Sequence, residues 1–501
     1  MPHFQWVNGE ASSAGTAQAT GFPRAAAWDN DRVTRIVIIG GGPGGYEAAL
    51  VAARLGARVT VVDRGGIGGA AVLTDCVPSK TLIATADVMA TIQDAPELGV
   101  EVNGLGSCET GVHLGRVNDR VLALAEKQSE DIAEGLVKAG VEIIRGSGRL
   151  VADGGTVRAV EVLTGDGEIV TIEADTFLLA TGARPRELAT AKPDGERILT
   201  WTQVYGLREL PRELIVVGSG VTGAEFAGAY QALGSQVTLV SSRDRVLPGE
   251  DQDAAQVLEE VFQRRGMTVL SRSRAAAAVR EGDRVVVSLE DGRTVSGTHC
   301  LMAVGSLPNT EDLGLEEAGV QTTPSGHIVV DRVSRTTVPN VYAAGDCTGL
   351  LALASVAAMQ GRIAVYHALG EAVWPINLKR VSANIFTSPE IATVGRTTFN
   401  AESDDPRFDV VKLPLDTNPR AKMLGFKDGF VKLYARPGSG TVLGGVVVAP
   451  RASELIHSVS MAVDLHLSVD QVASVFTVYP SLSGSIAEAA RRLHSDSDRE
   501  D

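Results

Sequence analysis

Residues Ile36–Arg64 read IVIIGGGPGGYEAALVAARLGARVTVVDR, and residues Leu214–Ser242 repeat the pattern as LIVVGSGVTGAEFAGAYQALGSQVTLVSS. Each segment contains a short apolar run, a G-x-G-x-x-G turn, an alanine-rich helical pattern and a second apolar run. This order predicts a strand–helix–strand unit whose helix N-terminus holds the pyrophosphate of a dinucleotide. Because the fingerprint occurs twice in its proper context, the sequence predicts an α/β protein with two Rossmann-like dinucleotide-binding domains.

The three glycines of a fingerprint have separate functions. Gly40 permits the tight turn, Gly42 lets the backbone approach the pyrophosphate, and Gly45 lets the helix pack closely against the strand. The predicted cofactor-binding glycines are therefore Gly40, Gly42, Gly44 and Gly45 at the first site and Gly218, Gly220 and Gly223 at the second.

The residue that ends the second strand distinguishes the two sites. Asp63 can accept hydrogen bonds from both hydroxyls of an unphosphorylated ribose, which favours FAD at the first site. Ser241 stands at the equivalent position of the second site, where it would not repel a 2′-phosphate. Arg243 and Arg245 follow it, and a nearby arginine could pair with such a phosphate. We expect NADPH at the second site, with NADH also possible. Arg243 could equally be a solvated loop charge.

Composition excludes several classes of protein. The chain has 501 residues, enough for several domains, and a net charge of −15, which argues against nucleic-acid binding. It contains no uninterrupted apolar run of the roughly 18 residues that a membrane helix needs. The cysteines are too scattered to indicate a disulfide framework or a metal site, so a cytoplasmic setting fits best. They are Cys76, Cys108, Cys300 and Cys347.

Further motifs resemble those of the flavoprotein disulfide reductases. Thr336–Asp346 is similar to their second FAD motif, in which the aspartate bonds the ribityl chain. Leu178–Gly182 and Met302–Thr310 are similar to their two interdomain crossover segments, and Ala354–Leu369 is predicted to be the helix whose positive end points at the flavin. The resemblance adds Gly148, Thr181, Gly182, Gly305, Asp346 and Ala354 as candidate cofactor-binding residues.

From about residue 33 to residue 493 the order of motifs resembles the glutathione reductase and dihydrolipoamide dehydrogenase family. The resemblance implies a homodimer whose FAD domain is split by an inserted nucleotide domain. Phe386–Ala392 and Val442–Ile456 resemble parts of the dimerisation domain. The predicted boundaries are a tail at 1–31, the FAD domain at 32–186 and 305–376, the NAD(P)H domain at 187–304, an α+β dimerisation domain at 377–493 and a tail at 494–501.

The residues expected to carry the chemistry depart from this family in two segments. Gly68–Lys80 reads GGAAVLTDCVPSK, where the family has roughly G-G-T-C-x-x-x-x-C-x-P-S-K, so Ala71 replaces the first cysteine and Cys76 is alone. At the C-terminus Tyr479 and Gly484 replace the histidine and glutamate of H-P-T-x-S-E. A site with one sulfur cannot form a disulfide, and a phenol is a poor neutral-pH substitute for imidazole. Disulfide reduction is therefore not expected.

Both altered segments resemble a branch of actinobacterial NAD(P)H-quinone reductases, which implies a homodimeric FAD enzyme that reduces quinones. Lys80 and Glu225 match a family ion pair beside flavin N5, although each could be a surface charge. Cys76 could contact the flavin as a thiolate or fill space. Tyr479 could bond a quinone oxygen from the partner subunit or serve packing. The alternatives are a soluble pyridine nucleotide transhydrogenase and a flavin-binding protein without turnover.

Overall fold

A computed structural model describes residues 33–100, 111–396 and 408–497. The predicted N-terminal tail and Cys108 lie outside the described residues. Up to residue 185 the elements are β1 (Arg35–Ile39), α1 (Pro43–Arg54), β2 (Arg58–Asp63), α2 (Gly69–Leu73), α3 (Cys76–Asp94), α4 (Leu114–Lys138), β3 (Glu142–Asp153), β4 (Thr156–Thr164), β5 (Ile169–Glu173), β6 (Thr176–Leu179) and β7 (Ala183–Pro185).

The first repeat forms the centre of a seven-stranded sheet. β1 is buried along Ile36–Ile39 and pairs in parallel with β2 on one side and β6 on the other. Such a continuous run of Val and Ile is typical of a parallel strand covered on both faces. The first strand–helix–strand unit therefore forms as the sequence predicts.

The second repeat forms a separate five-stranded parallel sheet with β9 at its centre. An antiparallel sheet of three strands, β12 to β14, is inserted in the chain between β11 and β15 of this sheet. The elements here are β8 (Ile198–Thr200), β9 (Glu213–Val217), α5 (Val221–Leu233), β10 (Gln236–Val240), α6 (Gln252–Arg264), β11 (Thr268–Leu270), β12 (Ala275–Glu281), β13 (Arg284–Leu289), β14 (Thr294–Gly297) and β15 (His299–Met302).

The chain then returns to the first sheet through β16 (Ser306–Pro308), α7 (Leu315–Ala318), β17 (Val341–Ala343) and α8 (Ala354–Ala368). β17 pairs in parallel with β6, and α8 packs so closely on α1 that a Cβ on Gly361 would lie 2.0 Å from the Gly44 carbonyl oxygen. This contact brings the N-termini of two helices to the same edge of the sheet.

The C-terminal region is an antiparallel sheet of five strands in the order β18-β19-β22-β21-β20, with helices packed on it. Its elements are β18 (Ser382–Ile385), β19 (Glu390–Gly395), β20 (Asp409–Pro414), α9 (Pro419–Met423), β21 (Phe430–Ala435), β22 (Val442–Ala449), α10 (Ala452–Asp464), α11 (Val469–Ser474) and α12 (Gly484–Ser497). The fold class is thus the predicted one, whereas the domain boundaries stay predictions.

A buried ion-pair cluster joins the second nucleotide-binding region to this C-terminal sheet. Lys432 of β21 lies 2.7 Å from Asp251, the N-cap of α6, and 2.5 Å from Asp253. The Tyr434 hydroxyl also donates to Asp251. Because these charges are mostly buried and fully paired, they fix the position of α6 against β21.

Within the described ranges no helix is long and apolar enough to span a membrane. The same ranges contain no cluster of three or more His, Cys, Asp or Glu side chains that could hold a metal ion.

Candidate active site

The first fingerprint forms a cradle whose glycines have distinct steric surroundings. Gly40 has a φ of +108°, and a Cβ on it would lie 2.2 Å from the Ala180 carbonyl oxygen. A Cβ on Gly45 would lie 1.9 Å from the Gly40 carbonyl oxygen, whereas one on Gly42 would approach no atom closer than 4.0 Å. Gly40 and Gly45 are therefore required by packing, and Gly42 leaves room for a ligand.

The cradle opens into a cavity of about 310 Å³. Several predicted site residues line it together: Gly40, Gly42, Gly44, Asp63, Cys76, Thr181, Gly182, Asp346 and Ala354. Gly148 lines an adjoining cavity of about 440 Å³ that shares Gly40, Asp63 and Thr181 with the first. The two cavities follow the edge of the sheet at which β1, β2 and β6 end.

These residues fit an extended dinucleotide such as FAD. The helix α1 starts at the cradle with no side chain capping it, so its N-terminus is free to receive a pyrophosphate. The Asp63 carboxylate accepts N–H bonds from Gly41, Gly65 and Gly66 at 2.6, 2.8 and 2.5 Å. A carboxylate has about four lone-pair sites, so acceptor capacity remains for a ribose hydroxyl.

At the opposite end of the cavity, Asp346 and the start of α8 lie side by side. Gln360, fully buried in α8, accepts an N–H bond from Gly345 at 2.9 Å and fixes the turn that carries Asp346. Burial and the neighbouring Asp75 carboxylate raise the pKa of Asp346. Ala354 begins α8 without a side-chain cap, so the positive end of this helix faces the cavity as the sequence predicts.

Lys80 and Glu225 form an ion pair although they are 145 residues apart. Lys80 Nζ lies 2.8 Å from Glu225 Oε2, and Glu225 is 4% exposed. The other Glu225 oxygen accepts the Phe386 N–H at 2.9 Å, and Lys80 Nζ lies 5.0 Å from the centre of the Phe386 ring. Burial alone would lower the pKa of Lys80, but the Glu225 carboxylate outweighs it and raises that pKa. Lys80 is therefore kept as an ammonium group in one position by the Glu225 carboxylate.

Cys76 is a neutral thiol in this setting. Burial, followed by the Asp75 carboxylate, raises its pKa to about 11, against the opposing effect of Lys80. Ala71 lines the same cavity at the position of the missing cysteine. Cys300 and Cys347 are free and buried. The cavity thus has one unreactive thiol among the residues described for its wall.

The second fingerprint repeats the steric logic of the first. A Cβ on Gly218 would lie 2.1 Å from the Ala303 carbonyl oxygen and one on Gly223 1.8 Å from that of Gly218, whereas Gly220 has nothing within 4 Å. Gly305, with a φ of +94°, also has open space around it. The second cradle therefore leaves the same room for a pyrophosphate.

Ser241 does not face solvent at this site. It is fully buried, and its hydroxyl lies 2.7 Å from that of Ser219 and accepts the Arg243 N–H at 3.1 Å. The Arg243 side chain is exposed, while Arg245 has a buried Nε with no hydrogen-bond partner among the described atoms. Both guanidinium groups could receive a phosphate.

Comparisons with known proteins agree with this geometry. The family model described as pyridine nucleotide-disulphide oxidoreductase matches residues 34–361, and the model of its dimerisation domain matches residues 381–490. The chain belongs to this oxidoreductase family. The family uses FAD and NAD(P)H, so the predicted cofactors and the predicted oxidoreductase class are confirmed.

Individual relatives are similar over nearly the whole chain. A Mycobacterium tuberculosis protein named NAD(P)H dehydrogenase (quinone) is 53% identical over 93% of this chain and 95% of its own length. A dihydrolipoyl dehydrogenase of Geobacillus stearothermophilus is 33% identical over 91% of this chain and 95% of its own. The crystal structure of LpdA from M. tuberculosis superposes with a TM-score of 0.87, covering 92% of this chain and 100% of that one at 53% identity.

Of the predicted catalytic residues, Cys76 lines the cavity, whereas Lys80, Glu225 and Tyr479 are not among its lining residues. The Tyr479 side chain is 82% exposed and is absent from the cavity wall. The neighbouring Phe476 and Val478 are exposed by 104% and 78%. In this oxidoreductase, three large side chains within residues 476–479 therefore lie outside the packed core of a single subunit.

Three contributors to the site were missed at the sequence level. Phe386 supplies the N–H that holds Glu225, Asp75 lines the cavity beside Cys76, and Tyr205 places a buried hydroxyl without a partner in the described chain. Asp75 stood inside the quoted GGAAVLTDCVPSK segment, so its charge was a visible signal. Phe386 and Tyr205 gave none, because a backbone N–H and a core aromatic residue carry no distinctive pattern.

Proposed function

We propose that this protein transfers reducing equivalents from NAD(P)H through FAD to a quinone, without a redox-active disulfide. The observation that carries the proposal is the cavity wall, where Ala71 and the single thiol Cys76 stand in place of a cysteine pair. The 53% identity to a protein named NAD(P)H dehydrogenase (quinone) supports the same acceptor.

Residues at the first fingerprint would bind FAD, and residues at the second would bind the nicotinamide nucleotide. Gly42 and the N-terminus of α1 would hold the FAD pyrophosphate, Asp63 a ribose hydroxyl, and Asp346 the ribityl chain. Gly220 and Arg243 would contact the nicotinamide nucleotide, and the buried Ser241 would hold the Arg243 backbone in place. When bound, FAD accepts a hydride from NAD(P)H and passes two electrons on.

Lys80 and the α8 N-terminus would supply positive charge beside the cofactor. The Glu225 carboxylate keeps the Lys80 ammonium charged and in one orientation, which favours negative charge developing nearby. Cys76 would act as a small packing group, since a thiol with a pKa of about 11 is not a thiolate at neutral pH.

A homodimer is supported by the match to the dimerisation domain over residues 381–490. The exposed side chains Phe476, Val478 and Tyr479 belong to that segment. In the dimer Tyr479 would reach the partner's cavity, where it would either bond a quinone oxygen or pack. Free cysteines are consistent with a reducing, cytoplasmic location.

The test is anaerobic oxidation of NADPH by the purified protein, with menadione, lipoamide or an oxidised nucleotide analogue as acceptor. The proposal expects rapid turnover with menadione and none with lipoamide. Turnover with lipoamide would contradict it, and turnover with the nucleotide analogue alone would favour a transhydrogenase. Failure of NADPH to bleach the flavin at all would favour a binding protein without turnover.

A further inference from the structure

The cavity wall beside Cys76 carries a carboxylate with no assigned task. Asp75 is half-buried and lines the cavity with Ala71 and Cys76. It occupies the N-cap position of α3 but caps none of that helix's N–H groups, unlike most aspartates at that position. No hydrogen bond reaches its carboxyl group from the described part of the chain. That group is therefore available to whatever occupies the cavity.

The other carboxylates around the cavity are already engaged or assigned. Asp63 accepts three backbone N–H bonds, and Glu225 binds Lys80 and the Phe386 N–H. Asp346 matches the motif position whose carboxylate bonds the ribityl chain. Asp75 is therefore the remaining acidic side chain on the described wall.

A second observation concerns Tyr205, a buried residue on which the Asp75 charge acts. Tyr205, in the short 3-10 turn Val204–Gly206, is 3% exposed, and its hydroxyl has no hydrogen-bond partner in the described ranges. Burial raises the pKa of this phenol, and the Asp75 charge is the next largest cause. Buried hydroxyls normally have a protein or water partner. Asp75 is thus the charged group that acts most strongly on a phenol without a described partner of its own.

The proposed reaction needs a source for a second proton. Reduction of a quinone to a hydroquinone takes two electrons and two protons, and a hydride supplies both electrons with one of the protons. The family's histidine is replaced by Tyr479 here. Cys76 is a very weak acid with a pKa of about 11, and the Lys80 ammonium is held by Glu225.

We propose that Asp75 gives this second proton to the quinone and that Tyr205 positions the Asp75 carboxyl group, an inference that rests on the proposed quinone reduction. The O–H bond of the carboxyl group breaks, and an O–H bond forms on the quinone oxygen. Asp75 is left as a carboxylate, which takes up a proton from solvent before the next turnover. Asp75 is thus a catalytic residue and Tyr205 a positioning residue.

The surrounding charges determine how readily Asp75 holds that proton. Burial raises its pKa, the Lys80 ammonium opposes the shift, and the Glu225 carboxylate reinforces it. The neighbouring Cys76 thiol, the Asp346 carboxylate and the Tyr205 phenol also interact with it electrostatically. The net direction is upward, which makes Asp75 an acid better matched to neutral pH than an exposed aspartate.

The test compares Asp75→Asn with wild-type holoenzyme, using menadione and ferricyanide as acceptors after reduction by NADPH. Ferricyanide takes electrons without protons. We expect Asp75→Asn to slow reoxidation by menadione about 100-fold or more and to change reoxidation by ferricyanide by less than about twofold. Asp87→Asn, an exposed carboxylate on the same helix α3 and outside the cavity wall, is the matched control and should change neither rate.

Each departure from this pattern has one meaning. A wild-type enzyme that does not reduce menadione overturns the proposed function itself. Equal menadione rates in wild type and Asp75→Asn overturn the role of Asp75 alone. Parallel losses with menadione and ferricyanide also overturn it, because the defect would then lie in electron transfer rather than in protonation.

Two further readouts do not depend on turnover at a single pH. Tyr205→Phe should shift the midpoint of the menadione pH profile upward, since in the proposed positioning role the Tyr205 hydroxyl donates to the Asp75 carboxylate during turnover, and an unshifted profile overturns that role. The second readout is the melting temperature of the apoprotein as a function of pH. The pKa of Asp75 is raised in the folded state, so the stability that its protonated form contributes is present at acid pH and is lost as the pH rises through that pKa. Asp75→Asn should therefore gain melting temperature over wild type as pH rises. A constant difference contradicts this.

Discussion

Replacing Lys80 with methionine removes the ammonium group that neutralises Glu225 while retaining most of the side-chain stem. Glu225 is 4% exposed and cannot turn to solvent, so the variant leaves a buried carboxylate without its counter-charge. Breaking a buried pair costs about 3–5 kcal/mol. Because the Lys80 side chain is 30% exposed, water can partly replace it, and we expect a loss of about 3 kcal/mol in the free energy of unfolding.

The reverse change should cost less. Glu225→Gln keeps an oxygen that can accept the Phe386 N–H, and it leaves an ammonium that water can reach. We expect a loss of about 1 kcal/mol. The double variant leaves no unpaired charge, so a double-mutant cycle should give a coupling energy of about 2 kcal/mol.

The assay is urea unfolding of the four proteins with FAD in constant excess, since bound cofactor adds to apparent stability. Equal losses for the two single variants would refute the inference that Glu225 is the more deeply buried partner. Additive losses would refute the ion pair itself.

The remaining predictions concern the thiol, the nucleotide and the cradle. Cys76→Ser should reduce menadione at a rate within about threefold of wild type, because the Cys76 thiol is not a thiolate. A loss of menadione reduction in stopped-flow assays would contradict an inert Cys76. Ser241→Asp should place a carboxylate in the second site at the position equivalent to that of Asp63 in the first. It should raise the KM for NADPH relative to the KM for NADH by about tenfold, and an unchanged ratio of the two KM values would mean that Ser241 does not select the nucleotide. Gly42→Val should abolish FAD binding and leave the circular dichroism spectrum unchanged, because a Cβ on Gly42 would approach no surrounding protein atom closer than 4.0 Å. A yellow, FAD-loaded variant would show that the pyrophosphate lies elsewhere.

The local elements were the most predictable part of this protein. Both strand–helix–strand units follow from the glycine fingerprint and the runs of Val and Ile, and the helix predicted at Ala354–Leu369 runs from Ala354 to Ala368. These features depend on neighbouring residues, whose periodicity is visible in the sequence.

Contacts between residues that are far apart in the sequence were less predictable. Lys80 and Glu225 could be paired beforehand through the family resemblance, because no local pattern relates residues 145 positions apart. Three-dimensional packing alone brings the Phe386 N–H to Glu225. It also brings the Tyr205 hydroxyl within the electrostatic influence of Asp75. Ser241 shows the same limit, since its position matched Asp63 but its full burial against Ser219 did not follow from the sequence.

The central claim is that the flavin acts without a disulfide, and an anaerobic reductive titration tests it most directly. FAD and a cysteine pair each take up two electrons, so a protein with Ala71 in place of the first cysteine should bleach completely with one two-electron equivalent of dithionite per FAD and expose no new thiol. Uptake of a second equivalent, with a new pair of reactive thiols, would mean that another cysteine pairs with Cys76 and would contradict the account.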